Sequence, residues 1–258
     1  MRAISVLWTP LLTCWVTNMI TINRAMVCLA LAAAPLCAVA QAPAAPNAFS
    51  GKAALGYIAT SGNTDSTSTN ASLSLLYALT NWRHAFDLAA IGASTNEQTT
   101  AEAYLAKYEA RRAFGEHGYL FTAFDYRRDR FSGYAEQMSE TVGYGRRLID
   151  RQRHVLNAGV GFGARQSELR DGTEEDDAIV RASADYVWTV SETTEFEQAL
   201  VLESGSTNTM TEARSALRAR IVGNVALVLS YRIKLNSSVP AGATKADRFT
   251  AVSLEYAF

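Results

Sequence analysis

The sequence predicts a closed, all-β antiparallel transmembrane barrel of about twelve strands, and three observations predict it. Extended segments of about ten to thirteen residues recur with apolar and polar residues alternating along each. The connections between them alternate between tight turns and longer polar loops. The chain ends RFTAVSLEYAF, with Leu254, Tyr256 and Phe258 on one face of a final strand.

Before any strand, the first forty residues stand apart. Arg24 precedes an uncharged run, AMVCLALAAAPLCAVA, and Ala38, Val39 and Ala40 before Gln41 form a small-x-small cleavage pattern. Residues 1–40 are therefore expected to be a secretory signal peptide, with translation starting at Met19. Pro35 and the small residues leave the run short of the roughly 20 apolar residues that a spanning helix needs. All three cysteines, Cys14, Cys28 and Cys37, lie in this stretch, so the processed chain carries no thiol into an oxidising compartment. A short periplasmic linker, 41–50, then leads into a barrel over 51–258.

The strands are expected at 51–60, 67–79, 83–94, 102–114, 118–130, 137–149, 154–166, 177–189, 195–205, 211–222, 225–236 and 247–258. In the fourth, Tyr104, Ala106, Tyr108, Ala110 and Phe114 oppose Leu105, Lys107, Glu109 and Arg111, with Arg112 out of place on the apolar row. In the seventh, Leu156, Ala158, Val160, Phe162 and Ala164 oppose a row of glycines ending in Arg165. The eleventh sets Leu227, Leu229, Tyr231, Ile233 and Leu235 against Ser230, Arg232, Lys234 and Asn236. Tight turns are expected at TNWR, GEHG, DRQR, SETT and GN; the longer loops are SGNTDS, STNEQTTAE, RFSGYAE, SELRDGTEED, GSTNTMTEA and SSVPAGATKAD. One trim end and one elaborated end match periplasmic turns and outward loops, and an even strand count returns both termini to the periplasm. A soluble sandwich also alternates, but its outer face is charged and its loops lack this two-ended pattern.

Aromatics near strand ends fit interfacial girdles: Trp82, Phe114, Tyr119, Trp188 and Phe196 at the turn end, Phe131 and Tyr134 at the loop end. The terminal Leu254, Tyr256 and Phe258 fit the signal by which barrels are handed to their assembly machinery. The expected lumen charges are Lys107, Glu109 and Arg111 on one strand and Asp125, Arg127 and Asp129 on the next. Arg218 and Arg220 join them further on, with Arg232 and Lys234 beyond. These side chains either pair into a filled interior or line a narrow aqueous pore that prefers anions, and twelve strands lie between the filled and open regimes.

Other chemistry finds little support in the residues. A net charge of -1 excludes a phosphate-tracking surface for nucleic acid. Neither a cofactor motif nor metal-ligand spacing is present. His84, His117 and His154 all fall at the turn end, away from the outer-leaflet substrate of a lipid- or lipopolysaccharide-modifying enzyme, which is the alternative reading. Glu174, Glu175, Asp176 and Asp177, with Asp171, are read as a solvated loop; Arg128 and Arg130 are candidates for lipopolysaccharide phosphates.

Several motifs together resemble a known family. GYIATSGNTDSTS (56–68), WRH (82–84), YRRDRFSGY (126–134), GYGRRLIDRQRH (143–154), NSSVPAG (236–242) and the terminal YAF resemble the salt-induced outer membrane proteins, a bacterial barrel family often labelled YdiY-like. The resemblance covers about 51–258 and implies the outer membrane of a Gram-negative bacterium, with outer-membrane lipids and lipopolysaccharide as partners. Its label suggests osmotic induction, it lends no mechanism or catalytic residue, and the expected role is structural or associated with salt or osmotic stress.

Overall fold

A computed structural model describes residues 48–60 and 65–258 of the chain. The signal-peptide residues, including the cleavage site at Ala38, Ala40 and Gln41, lie outside the described residues.

Twelve strands form: β1 (Ala48–Thr60), β2 (Ser66–Ala78), β3 (Trp82–Thr95), β4 (Gln98–Phe114), β5 (Gly118–Asp129), β6 (Tyr134–Arg151), β7 (His154–Leu169), β8 (Glu174–Thr189), β9 (Thr194–Ser204), β10 (Thr209–Val222), β11 (Val225–Asn236) and β12 (Ala246–Ala257). Each pairs antiparallel with its chain neighbours, and β12 returns to β1 to close the ring. The closing ladder runs from Lys52 opposite Ala257 to Leu55 opposite Leu254. Below it Gly51 and Phe258 exchange two backbone bonds, at 2.8 and 2.9 Å, so the last residue is built into the wall. Closure leaves no free sheet edge at that level, which is what a wall facing hydrocarbon requires.

All twelve expected strands are present, and most are longer than expected at the loop end. The stretch STNEQTTAE is the clearest difference: β3 and β4 continue to Thr95 and Gln98, leaving only Asn96 and Glu97 as the turn. Both adopt left-handed backbone, φ 49° and 62°, the pair a two-residue hairpin needs. Polar residues were read as loop there because hydropathy fades, but backbone pairing does not depend on an apolar face. Similarly, Glu174 to Asp177 open β8 rather than forming a loop, and β1 starts at Ala48, inside the expected linker.

The molecule is inverted relative to a water-soluble domain. Outward residues are large and apolar and stand bare, Leu55 at 70% and Phe162 at 68% exposure among them, whereas the fully covered side chains are Lys234, Glu203 and Asn208. A contiguous bare apolar surface of that kind is unstable in water and matched by lipid.

Candidate functional site: the side chains that fill the lumen

Inward residues from opposite walls meet. Lys107 on β4 donates to Glu212 on β10 at 3.0 Å, and these strands stand six places apart in a ring of twelve. Arg127 on β5 binds the second oxygen of the same carboxylate. Arg181 on β8 reaches Asp125 on β5 at 2.7 Å and Glu203 on β9 at 2.5 Å. Lys107 also lies 3.5 Å from Asp125, so one continuous ionic web ties five strands, β4, β5, β8, β9 and β10, on both sides of the lumen. In a low-dielectric interior such charges persist only when paired, and Glu212 is held by two cations, one of them shared with Asp125.

Nearer the turns, a second group forms. Arg218 donates to Glu255 at 2.7 Å, to Glu195 at 2.5 Å and to Glu197 at 2.8 Å. Arg111 bridges to Asp185 at 3.0 Å, binds Glu109, and lies 4.8 Å over the ring of Tyr119. Tyr119 was expected in the outward girdle but points inward, beside Phe121. Its position on the row of Asp125 and Arg127 was the signal that should have placed it.

The glycines of β6 and β7 explain how two rings fit. A Cβ at Gly145 would strike Tyr119, and one at Gly143 or Gly161 would strike Phe121 and the facing backbone. On that wall Gly143, Gly145 and Gly161 thus leave room for aromatic rings from β5, whereas Gly163 lies against the backbone of Glu140 and Thr141 on β6.

Towards the loops the packing tightens further. Asp177 accepts from Arg165 at 3.0 Å, and from the Ser206 hydroxyl and backbone N–H at 2.6 and 3.2 Å, so the acidic stretch ends in a buried anchor for the β9–β10 connection. Asn208 links this anchor to the β11–β12 connection: its amide donates to Asn236 at 2.9 Å, and its oxygen accepts from the Ser238 N–H at 3.1 Å. Residues 237–245 then run across the mouth. The Tyr134 hydroxyl, on the far side of the ring, donates to the Ser238 carbonyl at 3.2 Å, and Pro240 and Ala243 lie against Gly133. Tyr134 therefore anchors a lid and is not an interfacial ring, as the sequence had suggested. By contrast the turn end is open, with Lys52, Arg147 and Asp185 side chains 40–42% exposed. The interior is a cup closed at the loop end.

The remaining expected residues are placed as follows. Asp129 caps β5, accepting from the Phe131 and Ser132 N–H groups at 3.1 Å. Arg220 reaches the Glu192 carbonyl at the turn rim, at 3.1 Å. Arg232 lies on the inward row opposite Arg214. Arg130 pairs with Glu102 at 3.1 Å and is exposed, as is Arg128 beside it. On the loop between β7 and β8, Asp171 accepts from the Thr173 N–H at 2.9 Å, which holds its carboxyl below the usual range. Leu254, Tyr256 and Phe258 face outward.

Two outward clusters repeat one geometry. His84 stacks on Trp82 with ring centroids 5.8 Å apart and bonds the Tyr108 hydroxyl at 2.9 Å. His154 stacks on Trp188 at 5.9 Å and bonds the Tyr186 hydroxyl at 2.8 Å. Both sit near the turns, and both tie a polar histidine tip to a tyrosine on the neighbouring strand, as suits a water-lipid boundary.

The family described as "Protein of unknown function, DUF481" matches residues 53–258. The uncharacterized protein YdiY of Escherichia coli (strain K12) is 30% identical over 214 residues, covering 81% of this chain and 82% of that protein. Among solved structures, the COG4313 outer membrane channel from Pseudomonas putida F1 is similar at 12% identity and a TM-score of 0.49, over 82% of this chain and 96% of that one. The KdgM porin is similar at 10% identity and a TM-score of 0.43, over 81% and 99%. Likenesses this distant carry no ligand across.

Proposed function

The chain belongs to the DUF481 family of proteins of unknown function, and from that premise we propose that it is an outer-membrane β-barrel of the Gram-negative envelope whose lumen is sealed at rest. One observation carries the reading: Lys107 and Glu212 join opposite walls at 3.0 Å, where an open porin has water. On this reading the turn end and both termini face the periplasm, and the lid faces outward. Residues 1–40 serve as the export signal, cleaved after Ala40, and Leu254, Tyr256 and Phe258 serve as the insertion signal for the assembly machinery. Outer-membrane lipids and lipopolysaccharide are the partners of the bare apolar wall. The role is structural, in the response to salt or osmotic stress that the motif resemblance implies.

A narrow anion-preferring pore is the second reading, favoured by the half-exposed Lys52 and Arg147 in the open cup, and it requires the lid and the ionic web to part. Lipid modification is disfavoured, because the Nδ1 atoms of His84 and His154 are engaged by tyrosines on the outward face near the turns. Planar-bilayer recording of the refolded protein tests the proposal. Silence at neutral pH and moderate voltage is expected; sustained channel steps in the unmodified protein would overturn the seal. Turnover of phospholipid or lipopolysaccharide by the same sample would reinstate the enzyme reading.

A further inference from the structure

We propose that the ionic web holds one small monovalent anion, of halide size, in the cavity between Arg165 and Lys234. The cavity measures about 40 Å³ and is lined by five cations, Lys107, Arg127, Arg165, Arg181 and Lys234, against three carboxylates, Asp125, Glu203 and Glu212. The carboxylates are already spent. Glu212 takes Lys107 and Arg127, Asp125 takes Arg181 at 2.7 Å, and Glu203 takes Arg181 and the Ser139 hydroxyl.

Two of the cations still have donors to give. Arg165 is 3% exposed; its Nη2 serves Asp177 and the Asn208 carbonyl, while its Nη1 is buried without a partner. Lys234 is 1% exposed, donates to Gln137 at 2.6 Å, and has no carboxylate within salt-bridge reach among the described residues. An ammonium carries three N–H donors and a guanidinium five, so both groups face the void with bonds unmade. Buried donors are left unmade only at a cost comparable to a lost hydrogen bond, so an acceptor belongs there.

The cavity wall itself presents five cations against three carboxylates, with Asp177 behind Arg165 and with Asp129 and Asp247 near Lys234 outside the lining, so the free donors sit on a locally basic wall, which favours an anion over water as their acceptor. A volume of about 40 Å³ admits about three water-sized particles, which suits a small anion.

The test reads the interior and does not depend on membrane address or conductance, so its failure is distinct from failure of the sealed-barrel reading. The processed chain is refolded in detergent and crystallised with bromide in place of chloride. An anomalous peak in the cavity between Arg165 and Lys234 is expected; bromide found only at surface cations, or none, overturns the proposal. In solution, the thermal midpoint is expected to stand several degrees higher in chloride than in gluconate at equal ionic strength, because a ligand that binds only the folded state stabilises it. Lys234→Met and Arg165→Gln should each abolish that difference, and Arg248→Gln, on the exposed face, should keep it. If the first two fold and retain the full chloride difference, the assignment fails; if they do not fold, the bromide peak in the unmodified protein decides.

Discussion

Lys107 and Glu212 meet at 3.0 Å although their strands lie on opposite sides of the barrel, so the lumen has no free axis at that depth. Glu212 also holds Arg127, so its removal strands that guanidinium and leaves Lys107 with Asp125 alone. Glu212→Leu is expected to lower stability in micelles by about 3–5 kcal/mol, the range for breaking a buried pair from one side. Combining it with Lys107→Met should recover part of that loss, because the combination removes a partner of the missing charge. Urea titrations followed by heat-modifiable gel mobility measure both; equal losses in the single and double variants would refute the coupling.

Tyr119 fills the space of an absent side chain at Gly145. Gly145→Ala is expected to destabilise the barrel by about 1–3 kcal/mol, as overpacking does. Tyr119→Ala should cost about 3–5 kcal/mol through the void it leaves, on the scale of other large aromatic deletions. The two losses should not add, since the new methyl group enters the new void. An additive double variant would mean that the ring and the glycine do not share that space.

Which parts of this were legible follows from what each residue is surrounded by. Strand number and closure were legible because a wall between lipid and lumen imposes a period of two, as in VALVLSYRIKLN, where β11 falls on the expected 225–236. Strand ends at the loop side were not, because STNEQTTAE and the start of EEDDAIVR have left the apolar zone and carry no period, although their backbones still pair. Charges such as Lys107, Asp125 and Arg218 could be assigned to the inside by parity alone, but their partners could not: Lys107 and Glu212 are 105 positions apart, a distance no local pattern encodes. Tyr119 was misplaced by weighing its nearness to a turn above its parity. The lid in NSSVPAG carried only turn chemistry, and nothing local tells a loop that projects from one that folds inward over Gly133.

Asn208 is the joint between the Asp177 anchor and the lid, with its side chain bonded to Asn236 and Ser238. Asn208→Ala should leave those buried groups unsatisfied and cost about 1–3 kcal/mol locally. Because the strands below keep their ladders, the loss should appear as faster hydrogen exchange and protease cutting within 237–245, with little change in the global midpoint. Conductance events absent from the unmodified protein are expected in this variant if the lid contributes to the seal. Unchanged exchange in 237–245 would show that Tyr134 and Gly133 hold the lid without the joint.

Trp82 and Trp188 are the only tryptophans after Gln41, so the fluorescence of the processed chain reports the two His-Trp-Tyr clusters and nothing else. Both indoles are outward and about two-fifths exposed, near the turns, with Arg112 5.7 Å over the Trp82 ring. An aromatic ring with a cation above it is stable at headgroup depth, where the ring is dehydrated and the charge is not. In vesicles of lipids brominated at single acyl positions, quenching should be strongest for bromines nearest the headgroup and fall towards the chain ends. Trp82→Phe and Trp188→Phe should each remove about half of the signal and leave the depth profile of the other unchanged, because the clusters lie on different strand pairs. Strongest quenching at the bilayer centre would require the barrel to sit several residues deeper than the turns allow, and quenching only by aqueous iodide would place these rings outside lipid altogether.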